Sequence, residues 1–196
     1  MHQILRTYMN KITSSIISDD EFKLVEQCFT PKTVKKKQFL LHEGSICKYM
    51  SFIAKGAMRQ YTIDDKGIEH IVRFGLEEWW ISDRESFTML TPSKYYIDAI
   101  EDTQLLVATN DKLFELRAHS PSFEKLSRIL DERHYNAAQE RIQAIISYTA
   151  EEKFQHLMQN YPAFVKRIPQ SMLASFLGIT PETLSRVRKQ TSLNNN

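Results

Sequence analysis

Apolar residues change their spacing twice along this chain. The run Tyr49–Gly75, YMSFIAKGAMRQYTIDDKGIEHIVRFG, alternates short β-branched and aromatic stretches with turn residues, which predicts strand, turn, strand, turn, strand. Four of the five glycines (Gly44, Gly56, Gly67 and Gly75) lie within Gly44–Gly75. Asp64-Asp65-Lys66-Gly67 is the clearest hairpin turn, because Asp and Gly supply the positive φ that a tight reversal needs. A further strand pair is expected over Lys94–Ile100 and Gln104–Ala108, and the residues before Pro31 read as helical. Short strands at regular intervals predict a sandwich or barrel-like roll.

The second spacing is helical. No Gly or Pro occurs between Pro121 and Pro162, and Phe123, Leu126, Leu130, Ala137, Ile142, Ile145 and Tyr148 recur at helical intervals. Ser120 can cap this helix and Pro121 suits its first position. Twenty-eight residues would run about 42 Å, longer than one small core buries. A dimer seam through Phe123, Leu126, Leu130, His134, Ala137, Arg141 and Ile145 is therefore preferred to a single buried helix. His134 is a polar seam position or a pH-sensitive group. A break near Ser147-Tyr148-Thr149 would open the last part of the chain.

That part carries two short helices joined by a turn. Ala174 is small where two crossing helices touch, and Gly178 supplies the left-handed residue that ends the first helix. Thr180 caps the second helix, Pro181 opens it, and Ile179, Leu184 and Val187 face a small core. Glu182, Ser185, Arg186 and Lys189 are left on the outer face, a helix-turn-helix pattern for reading a major groove. Glu182, Ser185 and Arg186 are assigned base contacts; Ser171, Thr180, Thr183, Arg188 and Lys189 are assigned phosphate contacts.

Charge supports a polyanionic partner at that end. From Tyr161 onward five basic residues (Lys166, Arg167, Arg186, Arg188 and Lys189) face one acid, Glu182, whereas the whole chain of 196 residues carries a net +2. A solvated basic tail is the plainer alternative. The two cysteines, Cys28 and Cys47, are too few for a disulfide framework or a four-cysteine metal site and suit a reducing cytoplasm. No metal-ligand spacing links the six histidines, no apolar run approaches a membrane span, and no signal peptide is read at the start. Phosphate-binding glycine loops and nucleophile elbows are absent, so no enzyme activity and no cofactor are expected.

The whole chain resembles the Crp/Fnr (catabolite-activator) family of bacterial regulators. The resemblance rests on Phe39-Leu40-Leu41-His42-Glu43-Gly44, on Met50-Ser51-Phe52-Ile53-Ala54-Lys55-Gly56 and, more specifically, on the final motif. It implies an α+β fold with an antiparallel β-roll of jelly-roll type at 1–119, a dimerisation helix at 120–148 and a helix-turn-helix domain at 149–196. Glu182, Ser185 and Arg186 match the Glu-x-x-Ser-Arg pattern of the Fnr-like branch, whose half-sites resemble TTGA. The catabolite-activator branch has Arg where Pro181 stands, so that extra base contact is expected to be missing. Only Gln190-Thr191-Ser192-Leu193 and three asparagines follow the motif, so a C-terminal wing is expected to be absent.

The resemblance also marks an effector pocket, lined here by Trp80, Ser82, Asp83, Arg84, Ser93 and Lys94. Cyclic-AMP receptors carry Gly-Glu and Arg-Ser where this chain has Ser82-Asp83 and Ser93-Lys94. Without a bidentate Arg the phosphate loses its best partner, so cyclic AMP is not expected to bind, and any other effector is unidentified. The expected partners are double-stranded DNA, a second copy of the chain and RNA polymerase. The competing reading is a ligand-sensing module that binds a partner protein in place of DNA.

Overall fold

Ser14 takes a left-handed backbone at φ 51 and ends helix α1 (His2–Thr13); Ser18 restarts the chain as α2 (Asp19–Cys28) by accepting from the Glu21 N–H. The helical start is thus two helices, whose Leu5, Tyr8, Met9, Phe22 and Val25 enter a common core. The computed structural model describes residues 1–194. Its packing forms two units, Met1–Thr62 with Val72–Arg133, and Ile63–Ile71 with the chain from His134 onward. This division differs from one at residues 119 and 148, because the hairpin tip groups with the C-terminal helices and α5 (Pro121–Ser147) contributes to both units.

Eight strands among the described residues build two four-stranded sheets with antiparallel pairings. One has the order β1 (Thr30–Val34), β8 (Thr103–Ala108), β3 (Met50–Lys55), β6 (Trp80–Ile81); the other has β2 (Phe39–Leu41), β7 (Tyr96–Ala99), β4 (Met58–Ile63), β5 (Glu69–Gly75). Phe52, Ile53, Met58, Ile97, Leu105 and Leu106 are fully buried in the core of this β-roll. The strands expected to pair near Lys94–Ile100 and Gln104–Ala108 form, but in different sheets: β7 joins β2 and β4, and β8 joins β1 and β3. The chain crosses between sheets at Ile100–Asp102, where the Ile100 N–H donates to the Ala57 carbonyl at 2.8 Å.

Gly56 makes that crossing possible. At φ +105, a Cβ there would lie 2.5 Å from Thr103 Oγ1 and 2.8 Å from the Asp102 carbonyl oxygen. On the second sheet Arg59 and Asp98 face each other across β4 and β7, buried and joined by two bonds of 2.8 and 2.9 Å. The Arg59 guanidinium also lies over the Tyr61 ring, which stacks on Tyr96. This bidentate pair satisfies two charges that would otherwise be costly to bury.

Two short helices, α3 (Arg84–Met89) and α4 (Asn110–His119), precede α5. Ser120 caps α5 as expected, its Oγ accepting from the Phe123 N–H at 3.2 Å. The Glu21 carboxylate reinforces this end, accepting from Ser120 Oγ (3.0 Å), Ser122 N (3.0 Å) and Ser122 Oγ (2.7 Å). Phe123 and Leu126, expected on a dimer seam, are instead buried in the chain's own core, against which Leu130 also packs. Their side chains fill the first unit and are not available to a partner. The helix ends at Ser147, and Thr149 with Glu152 forms a capping box that starts α6 (Ala150–Asn160).

Candidate nucleic-acid interface

Two helices pack against the last one. α6 and α8 (Gln170–Leu177) hold α9 (Pro181–Asn194), and α7 (Pro162–Arg167) packs on α6 and α8, with Phe154, Leu157, Phe164, Ile168, Leu173, Ala174 and Leu177 buried. Gly178, at φ 66 and ψ 36, closes α8, and the Ile179 N–H reaches back to the Ala174 carbonyl at 3.0 Å. Thr180 Oγ1 then accepts from the Thr183 N–H at 3.2 Å and caps α9. Leu184 and Val187 are fully buried, which fixes the rotation of α9 about its axis.

That rotation leaves Glu182, Ser185, Arg186 and Lys189 exposed along one face, joined by Pro181 and Gln190 in a shallow surface. The Glu182 carboxyl is held below its ordinary range, first by a hydrogen bond from its own backbone N–H and then by one from the Thr180 side chain. It is ionised and anchored at the N-terminus of α9, where the helix dipole favours an anion. Ser171 and Thr180 are exposed, and Thr183 and Arg188 are half-buried at the flanks of that face. α9 continues past Lys189 to Asn194, so among the described residues no wing strand follows it; Asn195 and Asn196 lie outside the described residues.

In the roll, Asp83 and Ser93 of the residues expected around an effector engage each other, and Ser82, Arg84 and Lys94 have other partners. Asp83 caps α3, accepting from the Ser86 N–H at 3.3 Å, and its other oxygen accepts from Ser93 Oγ at 2.7 Å, with both residues buried. Ser82 Oγ meets the Met50 sulfur, Arg84 pairs with Asp131, and exposed Lys94 lies 3.7 Å from Glu85. The Trp80 ring belongs to an aromatic cluster with Tyr8, Phe29 and Phe52.

Residues 31–120 match the cyclic nucleotide-binding domain family. The chain is 28% identical to the regulatory protein HlyX of Actinobacillus pleuropneumoniae over 80% of its own length and 69% of that protein's. It is 23% identical to the transcriptional activator protein anr of Pseudomonas aeruginosa, over 88% of this chain and 75% of that one. Its fold is shared with FixK2 from Bradyrhizobium japonicum at a TM-score of 0.72 and 18% identity, covering 85% of this chain and 86% of that chain. The catabolite activator protein of Thermus thermophilus gives 0.54 and 18%, covering 94% and 88%.

In sequence the chain is similar to these regulatory proteins, and in fold to FixK2 and to the catabolite activator protein. Both sequence relatives are regulatory proteins by name. Among the described residues no helix is long and apolar enough to cross a membrane, and no His, Cys, Asp and Glu group is placed to hold a metal ion.

Several residues placed on the seam by their spacing have other neighbours. Arg141 is half-buried, and its Nη2 donates to the Ile71 carbonyl at 3.1 Å and to the Phe176 carbonyl at 3.4 Å, with its guanidinium 4.2 Å from the Phe176 ring centre. It turns toward α8 and not outward. His134 is also half-buried, whereas Ala137 and Ile145 are exposed. An exposed apolar stripe runs through Tyr135, Ala138, Ile142 and Ile145, with Ile146 beside it; it keeps Ile145 of the expected seam and has Tyr135, Ala138 and Ile142 one residue on from His134, Ala137 and Arg141. Sequence reasoning missed Ser175, whose hydroxyl donates to the Glu69 carbonyl at 2.9 Å and accepts from the Ile71 N–H at 3.0 Å. Nothing local distinguishes this serine from one facing solvent, since its partners lie more than a hundred residues earlier.

Proposed function

We propose that this chain is a homodimeric, sequence-specific DNA-binding regulator whose α9 reads TTGA-like half-sites. The observation that carries this reading is the outer face of α9, where Glu182, Ser185, Arg186 and Lys189 stand exposed while Leu184 and Val187 anchor the opposite side. A major groove admits such a helix, and a face that alternates acceptor, hydroxyl and cations suits base edges and phosphates. A helix seated in a protein groove needs apolar anchors at these positions, and none of the four is apolar.

The dimer is supported by α5. Tyr135, Ala138, Ile142 and Ile145 recur at intervals of three and four, the spacing of a two-stranded helical seam. Tyr135 is 63% exposed, Ile142 52%, Ile145 55% and Ile146 77%. Two copies joined there would present two α9 helices to half-sites about 34 Å apart, one turn of DNA. RNA polymerase is the further partner proposed for such a regulator.

The roll is proposed not to take cyclic AMP. Asp83 and Ser93 occupy the positions from which receptors hold ribose and phosphate, and here they satisfy each other. No effector of another class is assigned to it. The deciding experiment is selection of bound duplexes from a random pool by the full chain, with salt varied. Recovery of a pseudo-palindromic TTGA-like site, with binding that weakens steeply with salt, is the expected result. Failure to enrich any sequence would overturn the reading.

A further inference from the structure

Among the described residues β5 is the last strand of its sheet. Glu69 and Ile71, two residues apart, point their polar groups to the same side. Ser175 of α8 takes the place of a neighbouring strand, its single hydroxyl donating to the Glu69 carbonyl (2.9 Å) and accepting from the Ile71 N–H (3.0 Å). Arg141 of α5 completes the edge by donating to the Ile71 carbonyl (3.1 Å). The same Arg141 nitrogen donates to the Phe176 carbonyl at 3.4 Å, and its guanidinium covers the Phe176 ring. Phe176 in turn meets Phe164 edge-on, with ring centres 6.3 Å apart.

The hairpin tip that presents this edge is itself fixed. Asp64 Oδ1 accepts from the Lys66 and Ile68 N–H groups at 2.9 Å each, and Oδ2 meets His70 Nε2 at 2.9 Å. Three separate stretches of one unit therefore converge on Glu69–Ile71: the hairpin, the last turns of α5 and the middle of α8. Between α5 and α6 the chain breaks helix at Tyr148–Thr149. The clamp bridges that break through space.

We propose that Ser175 and Arg141 are positioning residues for DNA reading, which hold the angle between α5 and the α8–α9 pair by clamping the Glu69–Ile71 edge and so set the half-site spacing the dimer accepts. The inference rests on the DNA-binding reading above. Neither residue touches DNA in it. Both act on where α9 stands relative to the helix that carries the proposed seam. A hydroxyl at 175 and a planar guanidinium at 141 are both required, because each makes two bonds at fixed directions.

The test uses the full chain and its Ser175→Ala and Arg141→Lys variants. Each is titrated with palindromes of the half-site that the parent selects, with the separation stepped by single base pairs on either side of about one DNA turn. The parent is expected to show one preferred separation. In each variant affinity at that separation falls by about five- to tenfold, the weight of one or two hydrogen bonds, while affinity at neighbouring separations falls less, so the profile flattens. Binding to a duplex with a single half-site should stay at the parent's level.

A parent that selects no duplex overturns the DNA-binding reading and this proposal with it. A parent that selects one, with variants that keep its spacing profile, overturns this proposal alone. Equal weakening at every separation and at the single half-site also overturns it, since the side chains then serve only the integrity of the helices. If Ser175→Ala loses helix content, Arg141→Lys carries the same comparison, because it keeps the charge and most of the stem.

Discussion

The Ser93 hydroxyl donates to the Asp83 carboxylate at 2.7 Å, and both residues are buried in the roll. In the effector pocket proposed above, each spends on the other the group that would meet a ribose or phosphate. In that pocket, binding cyclic AMP would require breaking this bond and would leave the phosphate Lys94, which already lies near Glu85, and Arg84, which holds Asp131. Calorimetry with cyclic AMP should detect no binding below concentrations on the order of a millimolar. A micromolar dissociation constant would show that Lys94 or Arg84 rebuilds the site.

Two glycines of positive φ should respond differently to alanine. Gly178 has no atom within 4 Å of a built Cβ, so only the left-handed backbone opposes the change. Gly178→Ala should destabilise the chain by about 1 kcal/mol, and Gly178→Asn by less. At Gly56 the new methyl would strike the Thr103 side chain and the Asp102 backbone at 2.5 to 2.8 Å. Gly56→Ala should cost more than about 3 kcal/mol, because the crossing between sheets must move. Urea unfolding of both variants checks the ranking; equal effects would contradict it.

What could be read from the sequence was local chemistry. Thr180, Pro181, Leu184 and Val187 reveal a capped, half-buried helix because cap, first turn and apolar spacing lie within eight residues. The long helix announced its ends in the same way, through Ser120-Pro121 and through the break before Ala150. β1 was not read because Thr30, Pro31, Lys32 and Thr33 are mostly exposed, with only Val34 buried. The single-residue polar contacts were equally hidden. Glu21 reaches Ser120 and Ser122 across 99 and 101 positions, and Ser175 reaches Glu69 and Ile71 across 106 and 104. One charged or hydroxyl side chain has no spacing to recognise, so its role depends on the fold that brings its partner. The seam shows the intermediate case. Its helix was legible, and Ile142 and Ile145 with it, but Arg141, expected on the seam, is held inward by the hairpin edge.

Glu21 makes acid stability specific. Burial pushes its pKa up, but hydrogen bonds from the Ser122 side chain, the Ser122 backbone and the Ser120 side chain outweigh this, so the net shift is downward. A carboxyl with a lowered folded pKa contributes stability that is complete above its unfolded value and is lost as pH falls through the folded value. Glu21→Gln keeps oxygen and shape but removes the charge, and should lower stability near neutral pH while flattening its decline in acid below about pH 4.5. Thermal unfolding as a function of pH reads this directly; an acid limb unchanged in slope would remove Glu21 from the cap.

Dimerisation through α5 predicts where a charge is tolerated. Ile142 and Ile145 face outward on the second half of the helix, and each would be covered by a second copy. Burying one isoleucine contributes about 1.5–3 kcal/mol, so Ile142→Asp or Ile145→Asp should weaken self-association by more than about tenfold without unfolding the monomer. Sedimentation over a range of concentrations measures it. A parent chain that stays monomeric at micromolar concentration with its DNA present would sink the seam.

The outer face of α9 predicts which side chains carry sequence information. Arg186 is exposed, one turn after Glu182, and can donate two hydrogen bonds to the O6 and N7 of a guanine. Glu182 can accept from a cytosine amino group, but to do so it must leave its own backbone N–H and Thr180. Its contribution should therefore be smaller than that of Arg186. Ser185, between them on the same face, can reach a neighbouring base or a phosphate. Lys189, one turn further from the N-terminus, is placed for phosphate, which orients the helix without reading sequence. Arg186→Ala should cost about 1–3 kcal/mol per half-site and relax the preference at one guanine. Lys189→Ala should weaken all sequences about equally and lower the salt slope by about one unit per lost contact. Binding to a set of single-base variants of the selected site decides between these roles. If Arg186→Ala weakens every variant alike, Arg186 is a phosphate clamp, and the TTGA-like reading has to be abandoned.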